Sequence, residues 1–121
     1  MLTATLSGGC ATAVAPLEVI VETCDSDVRL RVGDILVVRL ASEATAGYLW
    51  ASEPPAAVVT SIGEPAIEWG SNNLDGGSEI QVFRFQASRA GSTRLSFLYR
   101  RPWLADRPPR KTCTISIRVE D

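Results

Sequence analysis

Short stretches in which apolar and polar residues alternate, separated by turn residues, follow one another along most of the chain. In residues 28–32 apolar and charged residues alternate before a Gly33-Asp34 turn. Residues 79–87 also alternate, and their apolar residues include Ile80, Val82, Phe83 and Phe85. A period of two is typical of a β-strand with one buried face. Residues 35–40 are almost continuously apolar, which is typical of a strand in a sandwich core. The pattern predicts strands at 17–23, 28–32, 35–40, 48–51, 58–62, 66–69, 79–87, 93–99 and 112–119.

No segment combines a helical period with capping residues. The segments 58–62 and 66–69 are the weaker ones, and turn signals recur at the spacing of a sandwich. We therefore predict an all-β fold, an immunoglobulin-like β-sandwich of about seven to eight antiparallel strands. Residues 1–16 are small and uncharged, so we expect a flexible tail or the remnant of a signal or lipoprotein leader, followed by one domain over 17–121.

Composition excludes several classes of function. The 121 residues fit one domain, and the net charge of −2 provides no basic field for nucleic acid. No apolar run has the length of a membrane-spanning helix. The chain has no histidine, so Ser-His and Cys-His nucleophilic schemes and most zinc sites are ruled out. We predict a binding protein rather than an enzyme, with no cofactor and no metal.

The three cysteines are Cys10, Cys24 and Cys113, and an odd number leaves one unpaired or processed. Cys24 follows the first predicted strand and Cys113 lies in the last. First and last strands can be neighbours in a sandwich, so a Cys24–Cys113 disulfide and two reduced, buried thiols are both compatible with the sequence.

Cys10 follows Leu6-Ser7-Gly8-Gly9, which loosely resembles the cleavage region of a bacterial lipoprotein signal. No basic residue precedes it and the apolar stretch is short. We expect an exported protein, whether periplasmic, lipid-anchored or secreted, with a cytoplasmic protein as the alternative.

Three segments lie at the edges of predicted strands, where recognition residues are often found on a rigid scaffold. They are Glu-Ala-Thr-Ala-Gly-Tyr-Leu-Trp at 43–50, Asp-Gly-Gly-Ser-Glu at 75–79 and Arg-Pro-Trp at 101–103. In this order and at these separations they resemble the loops of the chagasin-like inhibitors of papain-like cysteine peptidases. The third match is the most specific, because it directly follows the strand at 93–99.

The resemblance implies a reversible, tight-binding inhibitor that occludes the peptidase cleft with three loops at one end of the sandwich. It implies a monomer that binds a papain-like, cathepsin L-like peptidase. The residues expected to contact the peptidase are Glu43, Ala44, Thr45, Ala46, Gly47, Tyr48, Asp75, Gly76, Gly77, Arg101, Pro102 and Trp103.

The chain departs from the family pattern in its first loop. Glu43 and Ala44 replace the usual Asn-Pro, and Ala46 replaces the second Thr. A missing proline raises the cost of ordering the loop, and a glutamate near the catalytic thiolate changes the local field. The target peptidase and the potency are therefore open.

Other interpretations compete with the resemblance. Trp50 is expected in the core, as in many sandwiches, whereas Tyr48 is equally suited to packing or contact. A non-inhibitory adhesion or scaffolding module would have the same fold. A carbohydrate-binding module would use Trp69, Trp103 and Tyr99 as stacking platforms.

Overall fold

The fold is described from a computed structural model, which describes residues 16–42, 47–69, 79–104 and 106–121. Outside the described residues lie 1–15 of the expected tail, the first half of the first motif (43–46), residues 75–78 of the glycine-rich segment and the side chain of Trp69. In chain order the strands are β1 (Glu18–Val21), β2 (Ser26–Arg31), β3 (Ile35–Ser42), β4 (Leu49–Ser52), β5 (Val59–Ser61), β6 (Ala66–Trp69), β7 (Glu79–Ala87), β8 (Gly91–Arg100) and β9 (Lys111–Glu120).

The strands form a sandwich of two sheets. One sheet has the order β1-β3-β7-β5, with β6 also paired to β7, and the other has the order β2-β9-β8-β4. The predicted all-β sandwich is confirmed. The described residues form nine strands, one at each of the nine predicted segments, against the seven to eight expected for the sandwich. These residues also contain one 3-10 turn, Pro102–Leu104, and no helix long and apolar enough to cross a membrane.

The core lies between the sheets and follows the alternation of the sequence. On β9 the side chains of Cys113, Ile115, Ile117 and Val119 are all buried, while the residues between them face outward. The largest fully buried side chains include Phe85 from one sheet and Phe97 from the other, whose rings meet edge to face with centroids 6.2 Å apart.

Two of the strand pairs are parallel, which the sequence did not predict. β1 runs parallel to β3, and β2 runs parallel to β9. β2 lies between β1 and β3 in sequence but belongs to the opposite sheet, so the chain reverses direction twice before β3 joins β1. Alternation fixes which face of a strand is buried, whereas pairing partners depend on long-range packing.

The register of β2 and β9 explains the disulfide between Cys24 and Cys113, which the structure forms with a Cα–Cα distance of 5.1 Å. Ser26, the first residue of β2, lies opposite Ile115 in this parallel pair, so Cys24 just before β2 comes close to Cys113 on β9. Besides β8, the strand that pairs with β9 is thus the second strand and not the first, because β1 belongs to the other sheet.

Candidate functional site

One end of the sandwich, which we call the loop end, is where β3 and β8 finish and β4, β7 and β9 begin. The register places Ser42 opposite Glu79 in one sheet and Leu49 opposite Arg100 in the other. The described residues that flank the three motif segments therefore all lie at this end. The turn at Gly33-Asp34 lies at the opposite end, before β3 begins.

The predicted contact residues divide into two groups. Gly47, Tyr48, Arg101, Pro102 and Trp103 are described and lie together at the loop end. The others lie outside the described residues: Glu43, Ala44, Thr45, Ala46, Asp75, Gly76 and Gly77.

Trp103 is the most exposed large apolar side chain among the described residues, with 68% of its surface accessible. It belongs to the 3-10 turn that follows β8, in which the Leu104 amide donates to the Arg101 carbonyl at 2.9 Å. Pro102 is suited to the first position of this turn, because its φ is already fixed and it has no amide hydrogen to satisfy. The turn therefore holds a large aromatic ring out into solvent on a short, ordered segment.

Gly47 brings the first and third motifs into contact. Its φ of +90° is in the left-handed region that favours glycine. A Cβ at this position would lie only 2.5 Å from Cη2 of Trp103. The glycine is thus needed twice, once for its backbone angle and once because the indole ring lies directly against it.

Tyr48 extends this contact into the scaffold. It is half-buried and stacks on Tyr99 with ring centroids 5.3 Å apart, and Tyr99 in turn lies 4.7 Å from Trp50. The guanidinium of Arg101 lies over the Tyr48 ring at 4.7 Å, within the range of a cation–π interaction. Tyr48 therefore packs on the core while it links the first motif to the third.

Trp50 is buried, as predicted, with 7% of its surface accessible. Its indole nitrogen donates to the carbonyl of Ala41 at 2.9 Å, which connects β4 to the end of β3 in the opposite sheet. This hydrogen bond fixes the two strands on either side of the first motif relative to each other.

Gln81 is the residue that the sequence analysis missed. It is 5% exposed on β7, and its side-chain amide accepts from the Trp50 amide at 2.7 Å and donates to the Trp50 carbonyl at 3.0 Å. A polar residue on the same face of an alternating strand as Phe83 and Phe85 was the available signal. Buried polar groups are retained where they satisfy another buried group, and here that group is the backbone at the start of β4.

The loop end has the chemistry of a recognition surface. Among the described residues, no group of three or more His, Cys, Asp or Glu side chains lies close enough together to hold a metal ion. What this end presents is an exposed indole, an arginine-flanked tyrosine and a glycine backbone on a rigid support. These features are typical of protein interfaces, in which aromatic and arginine residues are enriched.

The sequence profile of the chagasin family of peptidase inhibitors, I42, matches residues 29–117. The chain belongs to this family. The match begins in β2 and ends in β9, so it includes all three motif segments and the disulfide-bonded Cys113. The resemblance of the motifs is thereby confirmed, and the family is one of inhibitors rather than enzymes.

Several solved structures share the fold of this chain. The cysteine protease inhibitor EhICP2 from Entamoeba histolytica superposes with a TM-score of 0.73 and 18% identity, covering 86% of this chain and 95% of that one. Amebosin gives a TM-score of 0.60 with 16% identity over 87% of this chain and 98% of its own. PbICP-C, solved in complex with falcipain-2, gives a TM-score of 0.52 with 19% identity, covering 88% of this chain and 93% of its own. No curated protein sequence gives a match.

Proposed function

We propose that this chagasin-family chain is a reversible, tight-binding inhibitor of papain-like cysteine peptidases, and that its loop end occupies the peptidase cleft. The observation that carries the proposal is the contact of the exposed Trp103 with Gly47, which joins two of the three family motifs into one projecting surface. The similar structures support the class of partner, since one is a cysteine protease inhibitor and another was solved in complex with falcipain-2.

The mechanism is steric occlusion by a surface that is ordered before it binds. A flexible loop loses conformational freedom on binding, which weakens affinity, whereas a braced loop has less to lose. Here the braces are the hydrogen bonds of Trp50 to Ala41 and Gln81, together with the stacking of Tyr48 on Tyr99. Inhibition by this route needs no covalent bond, metal or cofactor.

Each motif has its own part in the surface that enters the cleft. Gly47 allows the backbone to approach the partner closely, because it has no side chain and adopts a left-handed angle. Trp103 provides a rigid aromatic anchor with few torsions to fix, the kind of residue that dominates binding energy. We propose that Thr45 and the glycines Gly76 and Gly77 complete the surface, as they do in the family pattern.

The departures at Glu43, Ala44 and Ala46 bear on target choice. The family membership of the chain does not depend on them, because the match extends over residues 29–117. We propose that they adjust which papain-like peptidase is bound and how tightly, with a cathepsin L-like enzyme as the expected class.

The decisive experiment titrates the chain against papain and a cathepsin L-like peptidase while a fluorogenic substrate is hydrolysed. We expect stoichiometric loss of activity that returns on dilution, with the inhibitor recovered uncleaved. Full activity of both enzymes at micromolar concentrations of the chain would contradict the proposal.

We also propose that the protein is exported, to the periplasm, the cell surface or the medium. The Cys24–Cys113 disulfide supports this, because disulfides persist in oxidising compartments and are rare in reducing ones. Thiol labelling of the natural protein in fractionated cells tests the idea. Cys24 and Cys113 are expected to be blocked and found in an exported fraction, and labelling of these two cysteines in the cytosol would contradict the idea.

A further inference from the structure

The segment 100–111, which begins at the loop end, has a charge opposite to that of the whole chain. The protein has 14 acidic and 12 cationic residues, yet the segment 100–111 contains five cations and a single acid, Asp106. The cations are Arg100, Arg101, Arg107, Arg110 and Lys111. Only Arg101 belongs to the three family motifs, so most of this positive charge is not explained by the motif residues.

The arginines are gathered around Tyr48. A shallow cleft of about 190 Å³ is lined by Tyr48, Leu104, Pro108 and four of the arginines, Arg100, Arg101, Arg107 and Arg110. The guanidinium of Arg110 lies 5.0 Å from the Tyr48 ring centre, and the Arg110 amide donates to the Tyr99 carbonyl at 2.8 Å. We call these four arginines with Lys111 the basic patch.

Two members of the basic patch are available to a partner. Arg107 and Arg110 are exposed, and neither forms an ion pair with any residue in the described part of the chain. By contrast, Arg39 is paired with Glu22 and Glu68 on the other sheet. Arg107 and Arg110 therefore present their charge to the solvent at the loop end.

We propose that the basic patch is a second contact region beside the three motifs, and that it binds carboxylate side chains on the rim of the peptidase cleft. This inference rests on the proposed function, because it places the partner against Trp103. It names a property of the target: an acidic surface next to the part of the cleft that receives the third motif. Arginine suits this role, since its planar guanidinium donates two parallel hydrogen bonds to a carboxylate.

Charge at the rim of an interface acts mainly on the rate of association. Complementary fields steer the encounter and can raise the association rate constant by about 10- to 1,000-fold at low ionic strength. Salt screens such fields over a distance of about 8–10 Å at physiological concentrations. The basic patch should therefore make association fast at low salt and slower as salt is added.

The test compares two double charge reversals that change the net charge equally. R107E/R110E reverses the charge at two of the five positions of the patch, whereas R94E/R118E reverses the charge of two exposed arginines on the outer face of the β2-β9-β8-β4 sheet. Arg94 is six residues along β8 from Arg100, about 20 Å from the loop end at the rise of a strand. Association and dissociation rates are measured with a cathepsin L-like peptidase that the wild-type chain inhibits, at low and high salt.

For R107E/R110E we expect the association rate constant to fall by about tenfold or more at low salt, and the difference from wild type to shrink at high salt. R94E/R118E should change it by less than about twofold. The single variant R107E, which leaves the Arg110–Tyr48 contact intact, should show part of the same effect, and circular dichroism verifies that each variant is folded.

The outcomes separate this inference from the proposed function. If the wild-type chain inhibits but R107E/R110E associates as fast as R94E/R118E at every salt concentration, the basic patch has no part in binding and the inference is wrong. If the wild-type chain inhibits no papain-like peptidase, the proposed function itself fails.

Discussion

Trp50 and Trp103 show how position decides what a tryptophan does. Trp50 follows the first motif, is buried, and uses its indole nitrogen to bind the Ala41 carbonyl. Trp103 lies in a proline-marked turn and leaves most of its ring in solvent. Both environments could be anticipated from the sequence. Trp50 lies within a predicted strand, whereas Trp103 lies after a proline and outside any predicted strand. The sequence could not show that Trp103 lies against Gly47, because that contact joins two loops far apart in the chain.

Because Trp103 is exposed, we expect its replacement to weaken binding of the peptidase without lowering the stability of the fold. In W103A we expect inhibition to weaken by about 2 kcal/mol or more, roughly 30-fold in the inhibition constant, because exposed aromatic anchors dominate interfaces. The free energy of unfolding should change by no more than about 0.5 kcal/mol, as for most surface positions. Inhibition kinetics and urea unfolding measure the two quantities. The matched control is I67A, an exposed apolar residue on β6, which should leave inhibition unchanged.

Replacement of Gly47 should have a different outcome from replacement of Trp103, because it disturbs the shape of the loop end. G47A introduces backbone strain of about 1–3 kcal/mol at a φ of +90° and pushes its Cβ against the Trp103 ring. We expect a loss of stability together with at least about tenfold weaker inhibition, because the indole must move.

The control for G47A is G33A, at the opposite end of the sandwich. Gly33 has a φ of +98°, but a Cβ there meets no atom within 4 Å. In urea unfolding, G33A should therefore lose free energy of unfolding through the same backbone strain. Its inhibition of the peptidase should not change. Equal inhibition by the two variants would mean that the contact of Gly47 with Trp103 does not matter for function.

At the scale of elements, β7 has the widest structural role. It pairs with β3, β5 and β6 in one sheet, and through Gln81 it also binds the backbone of β4 in the other. Alternation located β7 at the right residues, because its period of two comes from the burial of one face. The same alternation could not show that a glutamine on this face serves as a bridge between sheets.

Gln81 therefore predicts a specific loss of stability. In Q81L the Trp50 amide and carbonyl lose their partners in a buried place, and each unsatisfied group costs about 1–3 kcal/mol. Q86L, on the same strand but exposed, should change the free energy of unfolding by less than about 0.5 kcal/mol. Urea unfolding compares the two, and equal stability would show that the bridge contributes nothing.

At the scale of the whole molecule, local sequence patterns were enough to predict the strands and the family motifs. The pairing of the strands and the position of the disulfide depend on contacts between distant parts of the chain. The parallel register of β2 with β9 places Cys24 beside Cys113, an outcome that strand periodicity alone does not determine. The gathering of the motifs at one end likewise depends on the register of both sheets.

The disulfide closes most of the chain into one loop, since its two cysteines are 89 positions apart in the sequence. Removing it in C24A/C113A should lower the free energy of unfolding by about 2–5 kcal/mol, because the unfolded chain regains freedom. Thermal unfolding with and without a reductant measures this effect. The reductant should destabilise the wild-type protein and leave the double variant unchanged, and a wild-type protein insensitive to full reduction would contradict the prediction.

The central claim is that the loop end of the sandwich binds in the cleft of a papain-like peptidase. Amide hydrogen exchange of the chain, measured free and with a stoichiometric amount of a cathepsin L-like peptidase, tests it most directly. The account predicts slower exchange on binding at residues 47–50 and 100–104, with no change at the turn of residues 32–34. Protection at that turn, or unchanged exchange throughout the chain, would contradict the account.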